Sequence, residues 1–137
     1  MDPPGSALLS WFQTHEMKAD SGSTFLQGVG LARKTRIIEL SRVDGGFRSN
    51  DQECIEMCDY LLRNEGLYVG PSAASNVCGA VKMARLMGPG KTIATILCDS
   101  GSQYATTAFD DEWRKHNKLV PVSKGTSIDF IAIPEKM

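Results

Sequence analysis

The sequence lacks the segments that direct proteins to membranes or anchor them there. No apolar run approaches the length needed to cross a bilayer. The N-terminus has no positively charged stretch before an apolar core, and the first arginine is Arg33, so neither a signal peptide nor an amphipathic transit peptide is predicted. These absences predict a cytoplasmic protein, or a mitochondrial one if a longer parent chain carries a leader.

Blocks of like charge are also absent. Fifteen Lys and Arg residues nearly balance sixteen Asp and Glu residues, which leaves a net charge of −1. A protein that neutralises a row of phosphates needs clustered Lys and Arg, so no nucleic-acid partner is expected. No membrane partner is expected either. With 137 residues, 42% of them hydrophobic, the chain has the length and composition of one soluble globular domain or of part of one.

Histidine is scarce, and the four cysteines have no spacing typical of a metal site or of a disulfide framework. Cys54 and Cys58 lie one helical turn apart, but no second pair of Cys or His completes four ligands. We therefore predict no metal site and buried free thiols, which behave as small hydrophobic groups. His15 and His116 have no acidic or cysteine partner nearby in the sequence, which predicts surface or loop positions for both.

What the chain does contain is a sharp boundary between an apolar run and a polar turn. Residues 92–97 are rich in β-branched types, follow the turn residues 88–90 and lead into Cys98-Asp99-Ser100-Gly101. This pattern predicts a buried strand. Groups just past the carboxyl end of a buried strand face the ligand crevice of α/β proteins, which makes Ser100 a candidate functional residue. The alternative is a serine that only caps a strand-to-helix turn.

Two helical patterns precede this predicted strand. Asn50 and Glu53 are spaced as in a capping box, and the apolar repeat after them predicts a helix over 51–64 that ends at Gly66. Ser72 is predicted to cap a second helix, which ends at Gly88. The predicted apolar face of this second helix consists of Val77, Val81, Ala84 and Leu86 or Met87.

The remaining segments predict shorter elements. A helical turn is expected near 8–12, short strands at 35–40 and 67–69, a third helix over 108–117 and an added strand at 128–133. The acidic run 110–112 is interpreted as a favourable helix N-terminus rather than as a metal or acid/base cluster. The order helix, strand, helix, strand with glycine turns predicts an α/β fold with parallel neighbouring strands.

Five motifs, in order along the chain, together resemble the cysteine synthase family. They are Asp2-Pro3-Pro4-Gly5-Ser6, Gln27-Gly28-Val29-Gly30, the stretch 64–72, the stretch 88–93 and Cys98-Asp99-Ser100-Gly101. These pyridoxal-phosphate enzymes have the tryptophan-synthase-β fold and include O-acetylserine sulfhydrylase and cystathionine β-synthase. The resemblance implies that residues 1–120 are the C-terminal part of such a three-layer, parallel-sheet α/β domain, incomplete here, and that residues 121–137 are a C-terminal extension.

The resemblance also implies cofactor-binding roles for three residues. Ser100 matches the family serine that hydrogen-bonds the pyridine nitrogen of pyridoxal phosphate. A neutral hydroxyl leaves that nitrogen unprotonated, which suits β-elimination and β-replacement on a serine-derived substrate. Gly28 and Gly30 match a glycine loop whose backbone lines the cofactor and the substrate. Asp99 is expected to point elsewhere if the alternation of a strand continues through it.

Other parts of the family's site have no match in the sequence. No lysine lies in the context of the family's Schiff-base lysine, and neither the substrate-carboxylate loop nor the glycine-rich phosphate loop is found. The resemblance therefore implies a cysteine synthase that acts on O-acetylserine or serine, with this chain incomplete for catalysis and no catalytic residue assigned. The alternatives are a non-catalytic remnant that serves as a binding or interaction module and a cystathionine β-synthase-like enzyme. The implied partners are an amino-acid substrate in the intact enzyme and, among proteins, a second copy of the chain or the missing N-terminal part.

Overall fold

Helices dominate the fold, which a computed structural model describes for residues 1–132. The elements are α1 (Leu8–Thr14), α2 (Arg36–Leu40), α3 (Asp51–Glu65), α4 (Pro71–Met87), a 3-10 turn (Gly101–Tyr104) and α5 (Asp111–His116). No helix among the described residues is both long and apolar enough to span a bilayer.

Helix α3 begins and ends as the sequence predicts. The Asn50 side chain accepts hydrogen bonds from the backbone N–H groups of Gln52 and Glu53, and Gly66 follows the helix in the left-handed conformation. The capping box is nevertheless incomplete. The Glu53 carboxylate pairs with Lys82 in the interior instead of turning back to Asn50.

Helix α4 begins two residues earlier than the sequence predicts. Gly70 is its N-cap and Pro71 its first residue, a position where the missing N–H of proline leaves no helical hydrogen bond unmade. Ser72 therefore lies inside the helix, and the prediction that it caps α4 is wrong. Gly88 ends the helix as predicted.

The buried side of α4 is made of smaller residues than predicted. Val77 and Val81 are half-buried, whereas Ala84, Leu86 and Met87 are exposed, so the predicted apolar face is partly wrong. The side chains that α4 buries are Pro71, Ala73, Ala74, Ser75, Cys78 and Lys82. Small side chains let two helices approach closely, and α4 uses this side to pack on α3.

The core lies between α3 and α4 and is closed by the C-terminal segment. Its buried members are Met57, Cys58, Leu61, Ala74, Cys78 and Ile131. Three of the four cysteines are buried free thiols as predicted, and burial raises the pKa of Cys58 to about 12. Cys98 is exposed, so the prediction of burial is wrong for that thiol.

No β-sheet forms within residues 1–132, where pairing is limited to two isolated bridges, Asp2 with Arg48 and Val69 with Ser100. The predicted strand at 67–69 is reduced to the second bridge, which is antiparallel. The predicted buried strand at 92–97 is wrong for this structure, because the segment is mostly exposed and Ile96 retains 71% of its accessible surface. Strands are stable only beside a neighbour that pairs with their backbone, and the described residues supply none here.

Residues 36–40 form helix α2, so the strand predicted at 35–40 is also wrong. The Thr35 side chain caps this helix by accepting a hydrogen bond from the Ile38 N–H. Lys34 adds an ion pair with Glu39, 2.7 Å between nitrogen and oxygen. With no neighbouring strand for its β-branched residues, local capping decides the conformation of this segment.

The predictions for the two ends of the chain are partly confirmed. Helix α1 contains the helical turn predicted near 8–12, and α5 lies inside the helix predicted over 108–117. Asp110 is the N-cap of α5, which confirms the structural interpretation of the acidic run. The strand predicted at 128–133 is wrong for residues 128–132, which form a turn at 129–130 and no strand, while residue 133 lies outside the described residues.

The C-terminal segment, residues 119–132, is bound to α3 and α4 by polar contacts with its backbone. Glu56 accepts hydrogen bonds from the N–H groups of Val122 and Ser123, at 2.9 and 3.1 Å. Burial alone would raise the pKa of Glu56, but these hydrogen bonds outweigh it and lower the pKa below its ordinary value. From α4, Arg85 donates to the carbonyl groups of Ile128 and Ile131.

A buried ion pair joins the two main helices. Glu53 on α3 lies 2.7 Å from the Lys82 ammonium on α4, and both residues are about 95% buried. The other oxygen of Glu53 accepts a hydrogen bond from the Ala132 N–H at 2.8 Å. One carboxylate therefore connects α3, α4 and the C-terminal segment.

Replacing Lys82 with methionine will leave the Glu53 carboxylate buried without its counter-charge. We expect Lys82→Met to lower the free energy of unfolding by about 3–5 kcal/mol, measured by urea denaturation. Lys91→Met, which removes an exposed lysine, serves as the control and will change stability little. The double variant Glu53→Gln/Lys82→Met will recover most of the loss, and a double variant no more stable than Lys82→Met would contradict a role for the uncompensated charge.

Candidate functional site

The turn that contains Ser100 lies against the start of α4. The Gly70 N–H donates to the Asp99 carbonyl at 2.9 Å, and the Gly101 N–H donates to the Tyr68 carbonyl at 3.0 Å. These two backbone hydrogen bonds flank Ser100 on either side. These two hydrogen bonds fix the backbone before and after Ser100, and neither involves the Ser100 side chain.

The Asp99 carboxylate binds Ser72 at the start of α4 and Tyr104 in the turn, and we call these two hydrogen bonds the Asp99 clamp. One oxygen accepts a hydrogen bond from the Ser72 hydroxyl at 3.1 Å, and the other accepts from the Tyr104 hydroxyl at 2.6 Å. Its negative charge lies beside the N-terminus of α4, where the helix dipole favours it. A Cβ atom at Gly70 would collide with this carboxylate, so only glycine fits at that position.

The same contact changes the acidity of Tyr104. Because an ionised phenol would face the Asp99 carboxylate at hydrogen-bond distance, this hydrogen bond and burial raise the pKa of Tyr104 to about 12. The phenol therefore stays protonated and continues to donate to Asp99 at neutral pH. The Asp99 carboxylate bonds to Ser72 and Tyr104, whereas the Ser100 hydroxyl bonds only within its own turn. The strand alternation on which the predicted direction of Asp99 depends is absent, so that direction stays a prediction.

The Ser100 hydroxyl is exposed and has only local partners. It accepts from the Ser102 N–H at 3.3 Å and lies 3.0 Å from the Ser102 hydroxyl, so Ser100 is the N-cap of the 3-10 turn. The capping role considered from the sequence is thus present. This capping contact does not use every hydrogen-bonding position of the Ser100 hydroxyl, because a hydroxyl carries one donor and two acceptor positions. The cofactor contact of Ser100 stays a prediction.

Gly28 and Gly30 lie in a different loop, near the N-terminus. Both have positive φ, 70° and 82°, which favours glycine. A Cβ atom at Gly30 would collide with Pro3 and Ser6, whereas one at Gly28 would meet open space. Gly30 lines a small cavity with Pro3 and Ser6. Among residues 1–132, no backbone hydrogen bond joins this loop to the Ser100 turn.

Sequence reasoning missed the residues that hold the Ser100 turn in place. The sequence predicts only that Asp99 points away from the cofactor, and it predicts no role for Tyr104. The predicted N-cap of α4, Ser72, lies two residues after the true one, Gly70. The dipeptide Gly70-Pro71 was the available signal, since proline favours the first position of a helix. Nothing in the spacing of Ser72, Asp99 and Tyr104 indicates that they meet, because 27 residues separate the first two.

Comparisons with known proteins relate this chain to one enzyme family. Residues 4–99 match the profile of the family described as pyridoxal-phosphate dependent enzyme, so the match stops one residue before Ser100. A cysteine synthase from Dictyostelium discoideum is 38% identical over 140 residues, which cover 96% of this chain and 37% of that protein. Cysteine synthase 2 from Schizosaccharomyces pombe is 33% identical over 142 residues, covering 95% and 36%.

A third relative has a different name. The cystathionine beta-synthase from Dictyostelium discoideum is 29% identical over 120 residues, which cover 88% of this chain and 24% of that protein. The chain thus spans little more than a third of the length of the two cysteine synthases, and about a quarter of this third relative.

Substitution of Asp99 will shift the titration of one tyrosine. Because the raised pKa of Tyr104 depends first on the Asp99 carboxylate, Asp99→Asn will move that pKa from about 12 toward 10. The measurement is the ultraviolet absorbance of phenolate as a function of pH. Tyr104→Phe identifies the transition by removing it.

The same linkage predicts a loss of stability in alkali. The folded state binds the Tyr104 proton more tightly than the unfolded state, so this contribution is complete below pH 10 and disappears as the pH rises toward 12. Tyr104→Phe will lack this part of the pH dependence. An unchanged titration curve in Asp99→Asn would show that the Asp99–Tyr104 hydrogen bond does not form in solution.

Proposed function

Because this chain belongs to the family of pyridoxal-phosphate-dependent enzymes, we propose that it forms one wall of the cofactor site of a cysteine synthase. The reaction proposed is β-replacement on O-acetylserine or serine to give cysteine. The observation that carries the proposal is the exposed Ser100 hydroxyl, presented on a backbone that two hydrogen bonds fix. The names of the Dictyostelium discoideum and Schizosaccharomyces pombe relatives support the choice of reaction.

The residues present fit one end of the cofactor. A serine hydroxyl is neutral and can donate to the pyridine nitrogen, and Ser100 has a donor position that its own turn does not require. The glycines fit less directly, because the backbone conformation and the contacts of Gly30 with Pro3 and Ser6 already account for glycine there. We therefore propose Ser100 as the principal cofactor contact of this chain and Gly28 and Gly30 as backbone contacts.

Bound pyridoxal phosphate supplies an electron sink for β-elimination and β-replacement. The Ser100 hydroxyl would donate a hydrogen bond to the ring nitrogen without protonating it, because a hydroxyl is a far weaker acid than a pyridinium. Asp99, although adjacent, does not compete for this role, since Ser72 and Tyr104 occupy both of its oxygens. The arrangement favours a moderate electron sink over a strong one.

Other groups that the reaction needs are not supplied near this turn. Lys82 is buried against Glu53, and Lys18, Lys34 and Lys115 pair with surface carboxylates. No described lysine makes an ion pair or hydrogen bond with the Ser100 turn. We therefore assign the activity to an assembly in which residues outside these 137 supply the lysine and the phosphate-binding loop.

A cystathionine β-synthase-like activity is less well supported, because that relative is 29% identical against 38% for the cysteine synthase of the same organism. For the same assembly we propose the tryptophan-synthase-β-like fold, with residues 92–97 as one of its parallel strands. The exposed and unpaired state of that segment in the chain alone fits this proposal.

The isolated chain will not form a covalent adduct with its cofactor. We expect that mixing it with pyridoxal phosphate will give no protein-bound visible absorbance, and that borohydride reduction followed by peptide mapping will find no stoichiometrically modified lysine. The reason is that no described lysine lies at the turn that would hold the pyridine ring. A single lysine modified in full would contradict the assignment of that group to residues outside the chain.

Ser100 will control the electronic state of the cofactor in a complete enzyme. The test is a chimera in which this chain replaces the matched third of the Dictyostelium discoideum cysteine synthase. Ser100→Ala removes one neutral hydrogen bond, so it will weaken cofactor binding by about 0.5–1.5 kcal/mol and leave the fold intact. Ser100→Asp will stabilise a protonated ring nitrogen, changing the visible spectrum and slowing cysteine formation while the cofactor stays bound.

Gln103→Ala is the control for these variants, because Gln103 is an exposed polar residue of the same turn whose side chain makes no hydrogen bond with Ser100. It will leave the spectrum and the rate nearly unchanged. Identical spectra and rates for the parent chimera, Ser100→Ala and Ser100→Asp would mean that Ser100 only caps its turn.

A further inference from the structure

A cavity of about 370 Å³ is formed by α3, α5 and the segments that precede α4 and α5, and we call it the Arg114 cavity. Its volume falls within the range of about 300–1,000 Å³ that is typical of small-molecule sites. Neither Ser100 nor the glycines of the proposed cofactor site line it, and the proposed function gives it no role. Its lining residues are Asp59, Leu62, Tyr68, Phe109 and Arg114.

Arg114 is held in this cavity by contacts that leave part of its guanidinium group without a hydrogen bond. Its Nε donates to the Ala108 carbonyl at 2.6 Å, and the group lies over the Phe109 ring, 5.7 Å from the centroid. Nη1 lies 3.7 Å from Asp59 and 3.8 Å from Asp111, which is too long for hydrogen bonds. Within residues 1–132 neither Nη atom donates a hydrogen bond, although only 9% of the side chain is exposed.

A buried guanidinium with unused donors favours an anion in the cavity. The pKa of Arg114 lies below its ordinary value, because burial lowers it more than the Asp111 carboxylate raises it, so the charge is incompletely compensated. Arginine nevertheless stays charged in proteins, and its planar fork matches a carboxylate. A doubly charged phosphate is disfavoured by the nearby carboxylates of Asp59 and Asp111.

Asp59 presents the opposite charge beside Arg114. One of its oxygens pairs with Arg63, whereas Oδ1 accepts no hydrogen bond in the described part of the chain. Oδ1 lies 3.7 Å from Nη1 of Arg114. A free acceptor and free donors this close together match an ammonium and a carboxylate that are carried on one carbon atom, as in a free α-amino acid. A polypeptide terminus carries only one of these two charges.

The other walls of the cavity are apolar and aromatic. The rings of Tyr68 and Phe109 meet edge to face, with their centroids 4.7 Å apart. Leu62 and Tyr68 each expose 38% of their surface, so part of this wall is open to a ligand. An aromatic side chain suits such a wall, because it buries apolar area and adds edge-to-face contacts with the two rings.

We propose that the Arg114 cavity binds a free α-amino acid with an aromatic side chain. The carboxylate of the ligand meets the Nη atoms of Arg114, and its ammonium group meets Oδ1 of Asp59. Its ring lies against Leu62, Tyr68 and Phe109. The proposal does not depend on the proposed function, because none of these residues is assigned to the cofactor.

The experiment is titration of the full chain with L-phenylalanine, followed by calorimetry and by amide NMR spectra. We expect saturable one-to-one binding with a dissociation constant of about 1 mM or less. The amide resonances of Leu62, Tyr68 and Gly101 will shift. Gly101 reports on the cavity because it packs so closely on the Tyr68 ring that a Cβ atom there would lie 2.5 Å from it.

Three analogues that each lack one group of the ligand test the three contacts. Phenylpropionate lacks the ammonium group, phenethylamine lacks the carboxylate, and L-alanine lacks the ring. Each will bind at least about tenfold more weakly than L-phenylalanine, because each leaves a charged group or an apolar wall of the cavity without its partner.

The variant Asp59→Asn separates the ammonium contact from a general effect on folding. It will weaken L-phenylalanine binding by at least about tenfold. Phenylpropionate will bind as tightly as before or more tightly, because it has no ammonium group to lose and the variant removes a negative charge beside its carboxylate. A variant that had lost the cavity would instead bind both compounds less well.

Two matched tryptophan variants locate the site. Leu62→Trp fills the Arg114 cavity and will abolish binding of L-phenylalanine. Leu86→Trp makes the same change at a leucine of α4 that is similarly exposed, at 41%, and does not line the cavity, so it will leave binding unchanged. Circular dichroism of both variants shows whether the helices remain intact.

The proposal is overturned by any of four results. These are the absence of saturable L-phenylalanine binding, binding of any of the three analogues as tight as that of L-phenylalanine, equal weakening of L-phenylalanine and phenylpropionate by Asp59→Asn, and equal binding by the two tryptophan variants.

Discussion

The buried ion pair between Glu53 and Lys82 is the interaction on which the described structure depends. Two charges removed from water on facing helices fix how those helices meet, because neither charge is tolerated without the other. The apolar contact between α3 and α4 is built largely from small or flexible side chains, which define position less sharply. The hydrogen bond from Ala132 to Glu53 then places the C-terminal segment over the same core.

The Ser100 turn depends on this helix pair through α4. Because Gly70 and Ser72 hold Asp99 at the start of α4, any rotation of that helix would carry the turn with it. The position of α4 is in turn fixed by Lys82 at its middle and by Arg85 near its end. Helix α4 thus connects the buried ion pair to the surface where the proposed cofactor contact lies.

Local signals predicted the parts of the fold that are decided locally. Helix α3 was predicted almost to the residue, because Asn50 and Gly66 act on their own backbone neighbours. Segments whose conformation depends on a distant neighbour were predicted wrongly. Residues 92–97 have the composition of a buried strand, yet no strand in the described chain lies beside them, and residues 36–40 form a helix for the same reason.

The candidate site was predicted in the same uneven way. Ser100 and the two glycines were identified by resemblance, and their cofactor roles remain predictions. The clamp around Asp99 was not found, because it joins three residues whose separation in the sequence carries no pattern. Likewise, Glu53 and Lys82 lie 29 positions apart, and no sequence pattern indicates that they form an ion pair. The position of Glu53 near the start of α3 indicated a capping role instead.

Backbone fixation of the Ser100 turn has a consequence for how such a site can evolve. The two hydrogen bonds on either side of residue 100 involve neighbouring backbone groups, and the Asp99 clamp belongs to a different side chain. Position 100 can therefore exchange one polar side chain for another without a matching change elsewhere in the fold. Substitutions at this single position can change the electronic properties of the site during evolution, while the backbone conformation of the turn stays the same.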